Sequence, residues 1–303
     1  MKKNIALLLT TCIVIFLSLF AYLGYPSEFS QFEAKINDMM FLARGDMRGD
    51  KSIIIIDIDE KSLKALGQWP WSRNKIARIL QNLADNHVGI IGLDVLFAEA
   101  DNSSPKKVLS QLGISRIDAK DYDMSLANTI YKTPTVVGYA FSLANDGIKP
   151  AGTPISNSVI IEKNRPKKSY IIKPYRAILN LPIIQKKAHY NGYFNTIPDD
   201  DGVVRSIPML MRFDGTLYPS ISLEMLRVAM GAKTIKVAYN DNGVKSITVG
   251  KLTIPTDIYG RMLINYAGGQ RSYRYISAID IYNNKIDKSL VKNKFALIGT
   301  SAV

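Results

Sequence analysis

Acidic side chains close two apolar runs of this sequence, and a stiff aromatic segment lies between them. The run IIIIDIDE, Ile53 to Glu60, carries Asp57 and Asp59, while VGIIGLDVLF, Val88 to Phe97, carries Asp94, with Glu99 close behind. Asp57 and Asp59 stand two apart, so an extended strand projects both carboxylates to the same side. LGQWPWSR, Leu66 to Arg73, holds both tryptophans of the chain, Trp69 and Trp71, around Pro70. Carboxylates, indoles and an arginine in this pattern could bind a small ligand beyond the strand ends, or hold magnesium beside a nucleophilic aspartate. Pro70 biases Trp69 away from helical geometry and Ser72 can start a helix, so WPWSR is expected to be a rigid connector roofing the acidic strand ends. Arg73 would then sit in a first helical turn, where the dipole disfavours a cation, so Asp57, Asp59 or Asp94 is expected to hold it. Each feature also has a packing reading: Asp59 or Ser62 caps the next helix, Asp94 binds loop amides, and the tryptophans plug a core. The candidate ligand-binding residues are Asp57, Asp59, Trp69, Trp71, Arg73, Asp94 and Phe97, with no catalytic or metal-ligating residue assigned.

The elements that position these groups read as an α/β fold. Runs at Ser52 to Glu60, Val88 to Phe97, Pro134 to Phe141 and Lys294 to Ala302 lack alternation, as in parallel strands covered on both faces. EKSLKALG fits a short helix ending at Gly67; Ile76, Ile79, Leu80 and Leu83 recur at helical steps after Ser72; Asp123 is expected to cap a helix through Lys132. The alternation predicts a mostly parallel sheet with helices on both faces. The last strand is expected to rejoin this sheet, leaving residues from about 145 to about 290 as an antiparallel, β-rich insertion. Within it, NGYFNTIPDDDGVVRSIPMLMRF predicts a hairpin at Asp201-Gly202, LYPSISLEMLRVAMG a capped helix ending at Gly231, and SITVGKLTIPTDIYGRMLINYAG strands around Gly250 and Gly260.

The chain has 303 residues, 47% hydrophobic, with 39 Lys and Arg against 26 Asp and Glu. That is ample core material, and it excludes disorder. The balance of +13 permits an anionic partner, and a Lys-rich and Asn-rich composition gives it equally without function. With Cys12 alone and His87 and His189 the only histidines, neither a disulfide within the chain nor a Cys/His zinc set can form; no cofactor and no nucleic acid is expected.

After Lys2 and Lys3, Ile5 to Tyr25 is free of charge. At about 1.5 Å per residue it matches a hydrocarbon core of about 30 Å. It is expected to be an uncleaved anchor in the inner membrane, with residues 1–4 cytoplasmic and 26–303 outside. From Ser27, Phe29, Phe32, Ile36, Met39 and Met40 recur at helical spacing. That helix, to Arg44, is expected to lay one face on the domain and to pass ligand-dependent rearrangement to the membrane.

IIIIDIDE resembles the first motif of the haloacid-dehalogenase-like phosphatases, in which Asp57 would be the nucleophile with magnesium as cofactor. Lys61 stands where that family has Thr or Val, and a later glycine-containing Asp motif is missing, since PDDDG falls in a turn. A magnesium-dependent phosphatase-like hydrolase using Asp57 and Asp59 is thus the enzymatic alternative; a non-signalling envelope protein is the structural one.

A second resemblance covers nearly all of the chain: NDMMFLARG; IIIIDIDEKSLKALGQWPWSRNKIARILQNL; GIIGLDVLFAEAD; GYFNTIPDDDGVVRSIPM with YPSISLEML; YGRMLINYAG with YRYISAIDI; and FALIGTSA. In this series the sequence resembles the second type of CHASE domain. The resemblance implies an extracytoplasmic sensory input domain of a bacterial adenylate or guanylate cyclase, histidine kinase or diguanylate cyclase, not itself an enzyme. Such proteins continue into further membrane helices and a cytoplasmic output domain, so IGTSAV is expected to be an internal stop in a longer protein. A small-molecule ligand, the membrane and a second copy of the chain are the partners expected.

Overall fold

The computed structural model describes residues 2–24, 26–114, 118–149 and 152–300; in the two N-terminal helices side chains are described at Ile5, at 7–20 and from Phe32 onward. Two compact units form, Met1–Arg48 with Tyr266–Ser272, and Gly49–Asn265 with Tyr273–Val303.

The first unit contains α1 (Lys2–Gly24) and α2 (Pro26–Arg44). Beyond α2, Met47 N–H donates to Ala267 C=O at 2.6 Å. Leu7, Val14, Phe16 and Phe20 of α1 are exposed. Among the described residues, no helix is long and apolar enough to cross a membrane. The expected span from Ile5 to Tyr25 is therefore not shown. The side chains described on α1 are Ile5 and 7–20; Tyr25 lies outside the described residues. On α2, Phe32, Ile36, Met39 and Met40 are exposed. The side chain of Phe29 lies outside the described residues.

The second unit starts with β1 (Ile53–Ile58), α3 (Glu60–Leu66), α4 (Arg73–Asp85), β2 (Ile90–Leu93), α5 (Pro105–Gln111), α6 (Tyr122–Lys132) and β3 (Thr135–Ser142). It continues through β4 (Val159–Lys163), β5 (Arg176–Ile178), α7 (Pro182–Lys187), β6 (Tyr190–Tyr193), β7 (Ser206–Pro208), β8 (Leu210–Phe213), β9 (Thr216–Pro219) and α8 (Ile221–Ala229). Last come β10 (Thr234–Asn240), β11 (Gly243–Val249), β12 (Leu252–Pro255), β13 (Arg261–Leu263), β14 (Arg274–Ser277), α9 (Ala278–Tyr282) and β15 (Phe295–Thr300).

Among the described residues the main sheet has 7 strands in the order β14-β1-β15-β2-β3-β5, with β6 also paired to β3. Its pairings are parallel except that of β5. The final strand lies between β1 and β2, with Ile56 opposite Ile298 and Ile90 opposite Phe295, so the sheet does need both ends of the unit. Alternate residues serve opposite faces. Ile54, Ile56, Ile58, Ile91, Leu93, Val137 and Ile298 pack with Ile76, Ile79, Leu80 and Leu83 of α4 and with α6 and α9. On the other face Ile90 and Val136 meet Met225 of α8. Each fully buried Ile or Leu stabilises the fold by about 1.5–3 kcal/mol over its exposed form.

The segment expected as one insertion is interrupted: β5, β6 and β14 return to the main sheet. What stands apart is a four-stranded sheet, β12-β11-β10-β4, with β10 antiparallel to β11 but parallel to β4. The expected hairpin at Asp201-Gly202 does not form, because β6 pairs with β3 and β7 with β13. The turn is instead clamped by Arg205, 3.0 Å from Asp199 and 2.7 Å from Asp201. The hairpin lies one Asp-Gly further on: Asp214 (φ 47°) and Gly215 (φ 77°) join β8 to β9, and positive φ at both turn positions matches the twist of the flanking strands. Asp123 does not cap α6; Asp121 does, accepting from Met124 N–H at 3.1 Å. α5 arises inside the polar NSSPKK stretch, where Pro105 occupies the first helical turn and needs no N–H partner there.

Candidate functional site

A cleft of about 420 Å³ opens at the carboxyl edge of the parallel sheet. Its floor comes from three neighbouring strands: Ile58 ends β1, Gly299 and Thr300 end β15, and Asp94 to Leu96 follow β2. Trp69, Pro70 and Arg73 form the opposing wall, and Ala98 and Glu99 complete the rim. Parallel strands direct their carboxyl ends toward such a crevice, where side chains and loop backbone are free of the ladder.

Of the seven candidate residues, Trp69, Arg73 and Asp94 line this cleft, while Asp57, Asp59, Trp71 and Phe97 do not. Asp57 is 8% exposed and lies in the ladder opposite Ser277 and Gly299. Asp59 is the N-cap of α3, accepting from Ser62 N–H at 2.9 Å, Ser62 Oγ at 2.6 Å and Ser277 Oγ at 2.9 Å. Burial pushes its carboxyl up, but the bonds from Ser62 and Ser277 outweigh this and hold the pKa below the ordinary value. The Asp59 carboxylate is thus committed to a helix cap, while Asp57 joins the ladder through its backbone.

The tryptophans divide. Trp71 is 2% exposed, belongs to the main core, and donates its indole N–H to Gly67 C=O at 2.7 Å. Trp69 is half-buried against the same core and meets Trp71 edge to face, with centroids 5.6 Å apart. The intervening Trp69-Pro70 peptide is cis. The roof expected of both rings is therefore supplied by Trp69 and Pro70, with Trp71 as their foundation.

Arg73 is held, but not by the acids its position pointed to. Its Nε lies 3.7 Å from Asp123 Oδ1, and both atoms are buried without a hydrogen-bond partner. Its terminal nitrogens donate to Trp71 C=O at 3.4 Å and Glu99 C=O at 3.2 Å. The guanidinium carbon stands 4.7 Å from the Phe97 ring centroid. Phe97 is fully buried, and Asn180 fixes its backbone by accepting its N–H at 2.7 Å. Asp101 does the capping that Ser72 was expected to do: it accepts Arg73 N–H at 2.6 Å, while Ser72 Oγ turns to Asn74. Burial raises the Asp101 pKa, but hydrogen bonds from Ser103 and Arg73 overcome that and leave it lowered. Asp123 is shifted up, chiefly by burial, with the hydrogen bond from Asp101 N–H and the charge of Arg73 pulling the other way.

Asp94 differs from these acids. The residue as a whole is exposed, and partial desolvation of its carboxyl raises its pKa. Sequence reasoning missed Asp101 and Asp123 as supports of Arg73. Only the Asp-Asn-Ser-Ser run after the second strand hinted at the first, since Asp before Ser forms local turns; here Asp101 accepts Ser103 N–H at 2.9 Å.

The cleft lies at the end of a mostly parallel sheet covered on both faces, in an α/β fold. The family model of the CHASE2 domain matches residues 10–303, and the chain belongs to that family. CHASE2 domains are extracellular sensory domains of membrane signalling proteins. No curated protein and no solved structure matches the chain.

Proposed function

We propose that the chain is the extracytoplasmic input domain of a transmembrane receptor and that a small ligand in the cleft between Trp69 and Asp94 sets its signalling state. The observation that carries this is the placement of Trp69, Arg73 and Asp94 around one cleft at the carboxyl edge of the sheet in a family of sensors. The output is a cytoplasmic domain such as an adenylate or guanylate cyclase, a histidine kinase or a diguanylate cyclase. α1 is the membrane anchor: it carries exposed apolar side chains at Leu7, Leu8, Ile15, Phe16 and Phe20, preceded in sequence by Lys2 and Lys3, which favour a cytoplasmic N-terminus. A second copy of the chain covers α2, whose exposed Phe32, Ile36 and Met39 recur four and then three residues apart, the spacing of a coiled-coil seam.

The test is ligand-dependent thermal stabilisation of the full chain against a metabolite library, repeated in Trp69→Ala and Asp94→Asn. A hit whose stabilisation survives both substitutions unchanged places the receptor site elsewhere. Modification of single cysteines placed after Pro26 by an impermeant reagent on intact cells reports the side of the membrane, and protection of all of them sinks the extracytoplasmic assignment.

A further inference from the structure

We infer that the cleft selects a small organic cation, a protonated amine on an apolar body, with Asp94 as its counter-charge and Trp69 as the ring it lies against. This rests on the sensory reading of the same cleft and names its ligand class.

The charges decide against an anion. Arg73 is the basic side chain of the cleft lining; its charge lies 3.7 Å from the Asp123 carboxylate, and its terminal nitrogens donate to two backbone carbonyls beside the Phe97 face. Asp94 is the reverse case. Among the described residues none forms a hydrogen bond or ion pair with its side chain, and desolvation raises its pKa. A bound ammonium would favour the ionised form and offset that desolvation. Glu99 adds a second, exposed carboxylate at the rim. This local excess of acid runs against a chain whose net charge is +13, so overall composition does not produce it.

The walls decide against a metal ion. Hard cations need several oxygen ligands, whereas Ile58, Val95, Leu96 and Trp69 present hydrocarbon and an aromatic face to the space beside Asp94. Such a surface suits an organic ammonium, which gains ring contact together with its ion pair. The volume of about 420 Å³ lies within the range of about 300–1,000 Å³ usual for small-molecule sites.

The experiment uses the full chain in detergent micelles and three probes of matched shape, 2-phenylethylamine, 2-phenylethanol and phenylacetate, titrated by calorimetry. The amine is expected to bind about tenfold more tightly than the alcohol or the acid. Asp94→Asn should erase that difference, and Trp69→Ala should weaken the amine and the alcohol alike. In the wild type, affinity for the amine should fall as pH is lowered and Asp94 takes up a proton; in Asp94→Asn it should stay flat. If the alcohol or phenylacetate binds as well as the amine and still depends on Trp69, the cation assignment is overturned and the cleft remains the ligand site. If no probe binds, or if binding ignores Trp69, the ligand class falls, and library hits that also ignore Trp69 bring the cleft reading down with it. A circular dichroism melt of each variant separates lost binding from lost fold.

Discussion

The guanidinium carbon of Arg73 lies 4.7 Å from the centroid of the Phe97 ring. One residue heads α4 and the other belongs to the loop after β2, so this contact, behind the cleft lining, ties the two segments together. Phe97 has no exposed surface. Phe97→Ala is expected to destabilise the domain by about 3–5 kcal/mol through the cavity and the lost cation–π contact. Urea denaturation measures it, and a loss below about 1 kcal/mol would show that the ring is not a structural anchor.

The two tryptophans should separate stability from recognition. Trp71→Ala removes a core ring and the hydrogen bond to Gly67, at an expected cost of about 3–5 kcal/mol. Trp69→Ala should cost less, because the ring is half-buried, while abolishing ligand-induced stabilisation. Parallel denaturation and ligand-shift measurements test the contrast; equal losses of stability in the two variants would contradict it.

Glu224 and Arg227 form a buried pair on α8, 1% and 9% exposed by side chain and 2.7 Å apart. Ser158 Oγ also donates to Glu224 at 2.6 Å, and Arg227 donates to Ala232 C=O at 2.7 Å. Glu224→Gln leaves a buried cation short of its partner, and the expected loss is about 3–5 kcal/mol. Glu224→Leu with Arg227→Met should cost less than the single change, since no charge is then stranded. Chemical denaturation of single and double variants decides it.

Gly192 and Gly92 sit where α8 meets the sheet, and they should respond differently to alanine. A Cβ at Gly192 would stand 2.5 Å from Ile221 Cα and 2.7 Å from Ile221 N, backbone atoms that cannot swing away. At Gly92 the first obstacle is the thioether of Met225, the far end of a flexible side chain. Gly192→Ala is expected to lose about 1–3 kcal/mol or more, and Gly92→Ala less. Melting temperatures of the two variants provide the check.

Two carboxylates should give pH effects of opposite sign. The Asp94 pKa is raised by burial, so its ionisation destabilises the native state: stability falls as pH rises through the folded pKa, and the effect vanishes below the unfolded value. Asp94→Asn should therefore match or exceed the wild type in melting temperature at about pH 7. Hydrogen bonding to Arg205 holds Asp201 at about 2, below its reference of 3.8. That stabilisation is present above the unfolded value and lost as pH falls toward about 2, and Arg205→Met should remove it. Melts of both variants from acid to neutral pH test the two signs; a shallower acid limb is expected for Arg205→Met.

Much of the main sheet was legible because its signals are local. The short, β-branched run Ile53–Ile58 has the pattern of a strand covered on both sides, and Ile76, Ile79, Leu80 and Leu83 mark one face of α4. The cap at Asp59 and the stop at Gly67 are equally local. The Asp-Gly turn signal was real at two places, but a turn does not state which strands flank it. At Asp214-Gly215 the neighbours pair with each other, while around Asp201-Gly202 the partners are β3 and β13. The candidate site was half legible: Trp69, Arg73 and Asp94 follow from their positions at strand and helix ends, whereas the fates of Asp57, Trp71 and Phe97 depend on what packs over them.

By itself the sequence determined the periodicities, the caps and the apolar strands with acids at their ends, because a residue's nearest chain neighbours decide these. Only the tertiary structure decided that β15 lies between β1 and β2, that Trp71 sinks while Trp69 lines the cleft, and that Asp123 rather than an acid of β1 faces Arg73. Those outcomes depend on which surfaces are close enough to exclude water from one another, a relation between residues far apart along the chain that no local pattern encodes.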